Sequence, residues 1–248
     1  MSVNLLCISS GSSSLQFALY QLGAAVETSL ADGMIERIGL PGSHLRIRTA
    51  ATTTALDEPG DVPDSATAVY AAFAALDTLR LPSPDAVGHR VVHGGADHVT
   101  PECVDAQLIE ELRRLVAYVP LHLPAAIQGI EAVAARVPYV PQVACFDTAL
   151  HRRMPELAQR FPLPRSFWDE GIRRYGFHGL SYEDSIAHLG NSASMAAVYN
   201  RQPLEITMGF TPTGGLMMGT RTGDLDPRLL HLLTEKGYDT PQLTQLVQ

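Results

Sequence analysis

The stretch from residue 3 to residue 20 constrains this chain more than any other. Val3–Ile8 is mostly apolar, Ser9–Ser14 is small and polar, and Leu15–Tyr20 is mostly apolar again. That is the pattern of two strands joined by a tight Gly/Ser turn. A lone hairpin is barely stable in water, so the chain must extend it into a sheet and cover one face of it. The residues that follow supply both. His44, Arg46 and Arg48 alternate with apolar or small neighbours through 44–57, predicting further strands before a loop at Glu58–Asp64 that holds two prolines and a glycine. Ala66–Leu79 reads as a helix and Ala86–Val92 as a strand that runs past His93 into Gly94 and Gly95. Asp105 is placed to cap a helix whose apolar face is Leu108, Leu112, Leu115 and Val116, and Pro124 opens another with Ile127, Ile130 and Val133 on one side. Val143–Phe146 reads as a short buried strand ending at Asp147. Strands alternating with amphipathic helices predict an α/β fold with a mixed sheet, and ligand sites in such folds gather at the carboxyl ends of strands. Arg90, His93 and Asp147 lie near such ends, and a domain change is expected just after Asp147.

Composition excludes several partners. A formal charge of −8 repels nucleic acid and anionic membrane surfaces at a distance, so an anionic substrate must be met by local positive groups. Lys236 is the single lysine, leaving 17 arginines, which favour planar two-point recognition of carboxylate or phosphate. Cys7, Cys103 and Cys145 lack metal-ligand spacing and read as reduced residues of a cytoplasmic protein's core. The N-terminus has no basic region or long apolar stretch, so a soluble, unprocessed chain is expected. His89 and His93 are spaced as a helical metal pair would be, but a strand reading argues against a metal there. No Walker loop, GxGxxG turn or protein-kinase motif set is present, so a nucleotide would have to be held another way.

A Gly/Ser hairpin tip can offer several N–H and O–H groups to one anion, though an ordinary turn has the same composition. Further along come GHRVVHGG (88–95), VPLHLPA (119–125), CFDTALH (145–151), RRYGFHG (173–179), HLGNSAS (188–194) and TMGFTPTGGLMMGTRTGDLDP (207–227). Singly each has a plain reading: Asp147 as a helix cap, His178 as a structural histidine, Arg90 and Arg221 as solvated side chains. In this order, over nearly the whole chain, they resemble the acetate kinase family. The resemblance implies an actin-like ATPase (ribonuclease H-like) fold with mixed sheets, in which residues 1–148 form an N-terminal domain with the phosphate hairpin and acetate site, and 149–248 begin a nucleotide-binding domain. It implies reversible phosphoryl transfer from ATP to acetate with Mg²⁺, giving acetyl phosphate and ADP, in a homodimer. By resemblance, Asp147, His178 and Arg221 are catalytic, Arg90 and His122 bind substrate, and His188, Leu189, Gly190, Asn191 and Ser192 lie against the ATP phosphates. A propionate or butyrate kinase would differ only in the acyl pocket.

The chain also departs from that pattern. Ser9 stands where the family has an asparagine that helps hold Mg²⁺, and Gln16 where it has a lysine that meets ATP phosphate. A hydroxyl can still touch a metal-bound water, but Gln16 removes a full charge, so weaker nucleotide binding is expected. Ser192 replaces a glycine and would be strained if that position needs positive φ. Only Leu180–Ala187 separate YGFHG from HLGN, too few for a helix and a strand, so a strand of the second sheet is expected to be missing. The chain ends soon after MGTRTGDLDP, whereas relatives continue through an adenosine site and a Mg²⁺-binding glutamate, so the second domain is expected to be incomplete. A catalytically inactive remnant or binding module is therefore the alternative to a working enzyme.

Overall fold

The computed structural model describes residues 2–247 apart from 25, 51, 183–186 and 201. The chain divides into two compact units, residues 1–92 with 100–145 and residues 93–99 with 146–248.

The first unit grows outward from the opening hairpin. β1 (Val3–Ser10), β2 (Ser14–Leu22), β3 (Glu27–Glu36), β4 (Ser43–Thr49) and β5 (Thr52–Gly60) follow one another as antiparallel neighbours. After α1 (Ser65–Thr78), β6 (Ala86–Val91) pairs parallel to β1 on its other side. β7 (Glu102–Cys103), α2 (Ala106–Leu115), α3 (Leu123–Arg136) and β8 (Gln142–Phe146) complete an eight-stranded mixed sheet in the order β5-β4-β3-β2-β1-β6-β8-β7. Asp64 and Asp105 cap α1 and α2, accepting from the N–H groups of Thr67 and Leu108.

Period-two alternation decides which face is covered. Leu6 and Ile8 of β1, Leu15, Phe17 and Leu19 of β2, Ile35 of β3 and Val87 of β6 share a buried core with Val69, Phe73 and Leu76 of α1 and Val133 of α3. The opposite parity, Cys7, Ser9, Gln16, Gly88 and Arg90, is half-buried or exposed. Thus the helices bury one face and leave the polar row on the other.

Several expectations need correction. β3 was not legible in the sequence. The expected loop at Glu58–Asp64 starts later, because β5 runs through Pro59 to Gly60; β5 is an edge strand, where proline's missing N–H is tolerated. β8 alternates, with Val143 and Cys145 only half-buried, and Cys103 is exposed, so the cysteines are not uniformly core residues.

In the second unit a 3₁₀ turn (Leu150–Arg153) leads to α4 (Glu156–Gln159), α5 (Arg165–Asp169) and α6 (Gly179–Tyr182). β9 (Ala187–Leu189), β10 (Ala193–Tyr199) and β11 (Gln202–Ile206) form an antiparallel sheet in the order β11-β10-β9, followed by α7 (Pro227–Glu235) and α8 (Thr240–Val247). Met154, Tyr182 and Ile206 make its small core, supported by Leu150, Ala158 and Ala196. The short segment 180–187 holds the end of α6 and the first residue of β9; its middle, including Ile186, lies outside the described residues. Among the described residues, no helix is long and apolar enough to cross a membrane.

Candidate active site

Strand register gathers the polar residues of the first unit. Ser9 on β1 faces Gln16 across the antiparallel pair and Arg90 across the parallel pair, so the three form one row over neighbouring strands. Arg90 donates from Nη1 to Ser9 Oγ at 3.3 Å. The tip beyond them is a tight turn in which the Gly11 N–H donates to the Ser14 carbonyl at 2.7 Å. His122 stands at the N-cap of α3 without a side-chain capping bond, one residue before Leu123 and two before Pro124. Beneath the row, His89 is buried with Nε2 2.7 Å from the Gln142 amide, and burial lowers its pKa to about 4, so it is neutral.

Three motifs that are distant in sequence form one packed knot in the second unit. His93 meets the rings of Tyr175 and Phe177 edge-on at centroid separations of 4.5 and 5.5 Å. The Gly94 N–H donates to Thr148 Oγ1 at 3.0 Å. The Gly179 N–H donates to the Asp147 carbonyl at 2.8 Å, and a Cβ on Gly179 would fall 2.2 Å from that oxygen. Gly176 has φ +73° and lies so close to His151 that a Cβ would meet its ring at 2.6 Å. These glycines are required by close approach. His151 is fully buried, with its Nε2 2.9 Å from the Phe177 carbonyl; burial lowers its pKa, while that carbonyl and the Asp147 charge oppose the shift. Asp147 itself is buried directly after β8, and the 3₁₀ turn that follows has Ala149, not Asp147, at its N-cap.

On this knot sits a set of donors. His178 adopts φ 60°, a left-handed backbone that a non-glycine residue enters only at a cost of order 1–3 kcal/mol. Its ring stacks on His188 at 4.0 Å, and its Nδ1 lies 2.8 Å from Ser194 Oγ. His188 and Leu189 end β9, and a turn closed by Gly190 N–H to Ser192 carbonyl (3.0 Å) leads into β10. Across that turn Arg221 donates from Nη1 to Ser192 Oγ at 2.8 Å and to the Pro212 carbonyl at 3.2 Å. Arg221 is half-buried, which lowers its pKa, though a guanidinium stays charged at neutral pH. Its loop is held by mutual bonds between Gly215 and Asp224. His178 stacked on His188 and Arg221 bonded to Ser192 thus engage the two ends of one short turn, an arrangement whose N–H groups suit an anion.

Ser192 is not among the described non-glycine residues with positive φ, so the expected strain from replacing glycine is absent. Ser194, Tyr182 and His151 support the cluster and were missed as functional candidates; Ser194 stood within HLGNSAS, but nothing in its spacing pointed to His178. A Mg²⁺ site does not follow from the described residues. Among the described residues no three His, Cys, Asp or Glu side chains converge, and the Ser9 hydroxyl accepts from the Arg90 guanidinium, a cation.

The sequence model of the Acetokinase family matches residues 4–248. The acetate kinase of Micrococcus luteus is 40% identical, covering 98% of this chain and 64% of that protein. The acetate kinase of Rhodopseudomonas palustris is also 40% identical, covering 100% of this chain and 68% of the relative. Among crystal structures, Porphyromonas gingivalis acetate kinase matches with a TM-score of 0.83 at 34% identity, covering 99% of this chain and 67% of that one. A propionate kinase from Francisella tularensis matches with a TM-score of 0.90 at 29% identity, covering 99% and 68%. The chain therefore spans about two thirds of the length of these relatives, and its fold is of the actin-like ATPase class.

Proposed function

The chain belongs to the acetokinase family, and from that premise we propose acetate kinase-type phosphoryl transfer, ATP plus acetate giving acetyl phosphate plus ADP, reversibly. The observation that carries the reading is the 188–192 turn with His178 stacked on His188 at one end and Arg221 bonded to Ser192 at the other. In the forward reaction an acetate oxygen attacks the γ-phosphorus while the bond to the ADP oxygen breaks, and charge spreads over three equatorial oxygens. Such a step needs fixed donors more than a covalent nucleophile. Arg221 and His178 supply those donors in this reading. Arg90 holds the acetate carboxylate with its guanidinium fork, and His122 lies beside the group being transferred. Asp147 acts as the acid/base or orienting carboxylate. The turn from His188 through Leu189, Gly190, Asn191 and Ser192 lies against the ATP phosphates, with Gln16 in the weaker place of a lysine. Mg²⁺ enters with the nucleotide as MgATP, and no step is routed through Ser9 as a ligand.

The test is direct: purified chain, MgATP and acetate, with acetyl phosphate trapped by hydroxylamine. Turnover above a no-enzyme blank is expected, and its absence would favour the inactive binding module instead. The likeness to a propionate kinase motivates a second arm with propionate in place of acetate. One methylene in an apolar pocket is worth about 1–3 kcal/mol, so a kcat/KM ratio favouring propionate by 10-fold or more would reassign the acyl substrate.

A further inference from the structure

Behind His178 lies a buried hydrogen-bonded chain that the reading above leaves unused. Ser194 Oγ is bonded both to His178 Nδ1, at 2.8 Å, and to the Tyr182 hydroxyl. Ser194 is fully buried, and Tyr182 and His178 are 4% and 5% exposed. Tyr182 comes from α6 and Ser194 from β10, and Ser194 carries the chain to the His178 ring nitrogen.

Counting hydrogens fixes the direction of this chain. The buried Tyr182 hydroxyl has one hydrogen to give. Ser194 Oγ is the acceptor that the described residues offer it. Having received that hydrogen, Ser194 gives its own to His178 Nδ1. The opposite polarity would bury the Tyr182 hydroxyl hydrogen with no acceptor among the described residues, at a cost of about 1–3 kcal/mol. We propose that Tyr182 and Ser194 are positioning residues that hold His178 in the tautomer with its hydrogen on Nε2 and its lone pair on Nδ1. The proposal gives that tautomer a use only within the phosphoryl-transfer reading. A phosphoryl oxygen is purely an acceptor, so the Nε2–H tautomer attracts it, whereas an Nε2 lone pair would repel it. Stacking on His188 keeps the ring plane fixed while the relay fixes the proton.

The decisive measurement is a long-range ¹H–¹⁵N correlation of the histidine side chains in the full chain at neutral pH, with His178 assigned by its loss in His178→Gln. Protonated Nε2 and unprotonated Nδ1 are expected at His178, and a protonated Nδ1 in the unsubstituted protein overturns the proposal. Tyr182→Phe keeps the aromatic packing but removes the hydrogen given to Ser194, and Ser194→Ala removes the relay. Both should move the His178 ring toward a tautomer mixture, lowering kcat about 10- to 100-fold with the acetate KM within about 2-fold, while Ser194→Thr restores the ring state. Unchanged spectra and kcat in Tyr182→Phe, with native circular dichroism, would equally refute it. If the unsubstituted chain shows no turnover, the kinase reading falls while the ring spectra still decide the relay.

Discussion

Acidification should destabilise both units through histidines that are buried neutral. His89 in the first unit and His93 in the second each have a folded pKa near 4, set by desolvation, against 6.5 for the free side chain. The unfolded chain binds more protons between these values, so stability is present above about pH 6.5 and is lost as pH falls toward 4. Going from about pH 7.5 to about pH 5 should cost about 2 kcal/mol per histidine, obtained by integrating the proton-binding difference over that interval. With a urea slope near 2 kcal/mol/M, each unit's midpoint should fall by about 1 M. His151, also held below its ordinary pKa by burial, adds to the fall in the second unit. Fluorescence of Trp168, the single tryptophan, reports the second unit, and hydrogen exchange of α1 amides reports the first. His89→Gln should flatten the first unit's pH dependence while leaving the second's intact. A first-unit midpoint that still falls by about 1 M in that variant would refute the assignment to His89.

Three further outcomes follow from named contacts. Arg221→Ala should lower kcat for acetyl phosphate formation by roughly 10³-fold, by analogy with arginines that stabilise phosphoryl transfer; an unchanged kcat would remove Arg221 from the chemistry. Gln16→Lys adds a cation to the row that holds Ser9 and Arg90, and a charge-assisted phosphate contact of about 1.5–3 kcal/mol should tighten ATP binding about 10- to 100-fold by calorimetry. Gly179→Ala places a methyl 2.2 Å from the Asp147 carbonyl and should destabilise the second unit by about 3 kcal/mol in urea melts.

What was legible in the sequence divides by how local its cause is. Caps such as Asp64 and Asp105 act within three residues, and the strand alternation of β1, β2 and β6 is a property of each strand alone, so the first unit's main elements were readable. β3 was not, because ETSLADGMIE carries five polar or charged residues and a glycine, and its strand state comes from pairing with β2 and β4 on either side. The extension of β5 through Pro59 was hidden for a related reason: only the pairing shows that this is an edge. Residues that turn on partners 12–16 positions away, such as Ser194 with Tyr182 and His178, left no local signal at all.

The motifs themselves separate into packing and chemistry once their contacts are known. In GHRVVHGG, Arg90 belongs to a polar row of the first unit, whereas His93 and Gly94 are packing residues of the second, His93 edge-on against Tyr175 of YGFHG and Gly94 bonded to Thr148 of CFDTALH. In YGFHG the two glycines are fixed by His151 and the Asp147 carbonyl, which leaves His178 as the residue whose chemistry is not accounted for by packing. Its positive φ points the same way: a strained backbone persists only where surrounding contacts enforce it. Those contacts are the Gly179 bond to Asp147, the His151 bond to Phe177, and the Ser194 bond to the ring. The apparent redundancy of three motifs is therefore one mechanical requirement, the holding of a single imidazole in a conformation it would not adopt alone.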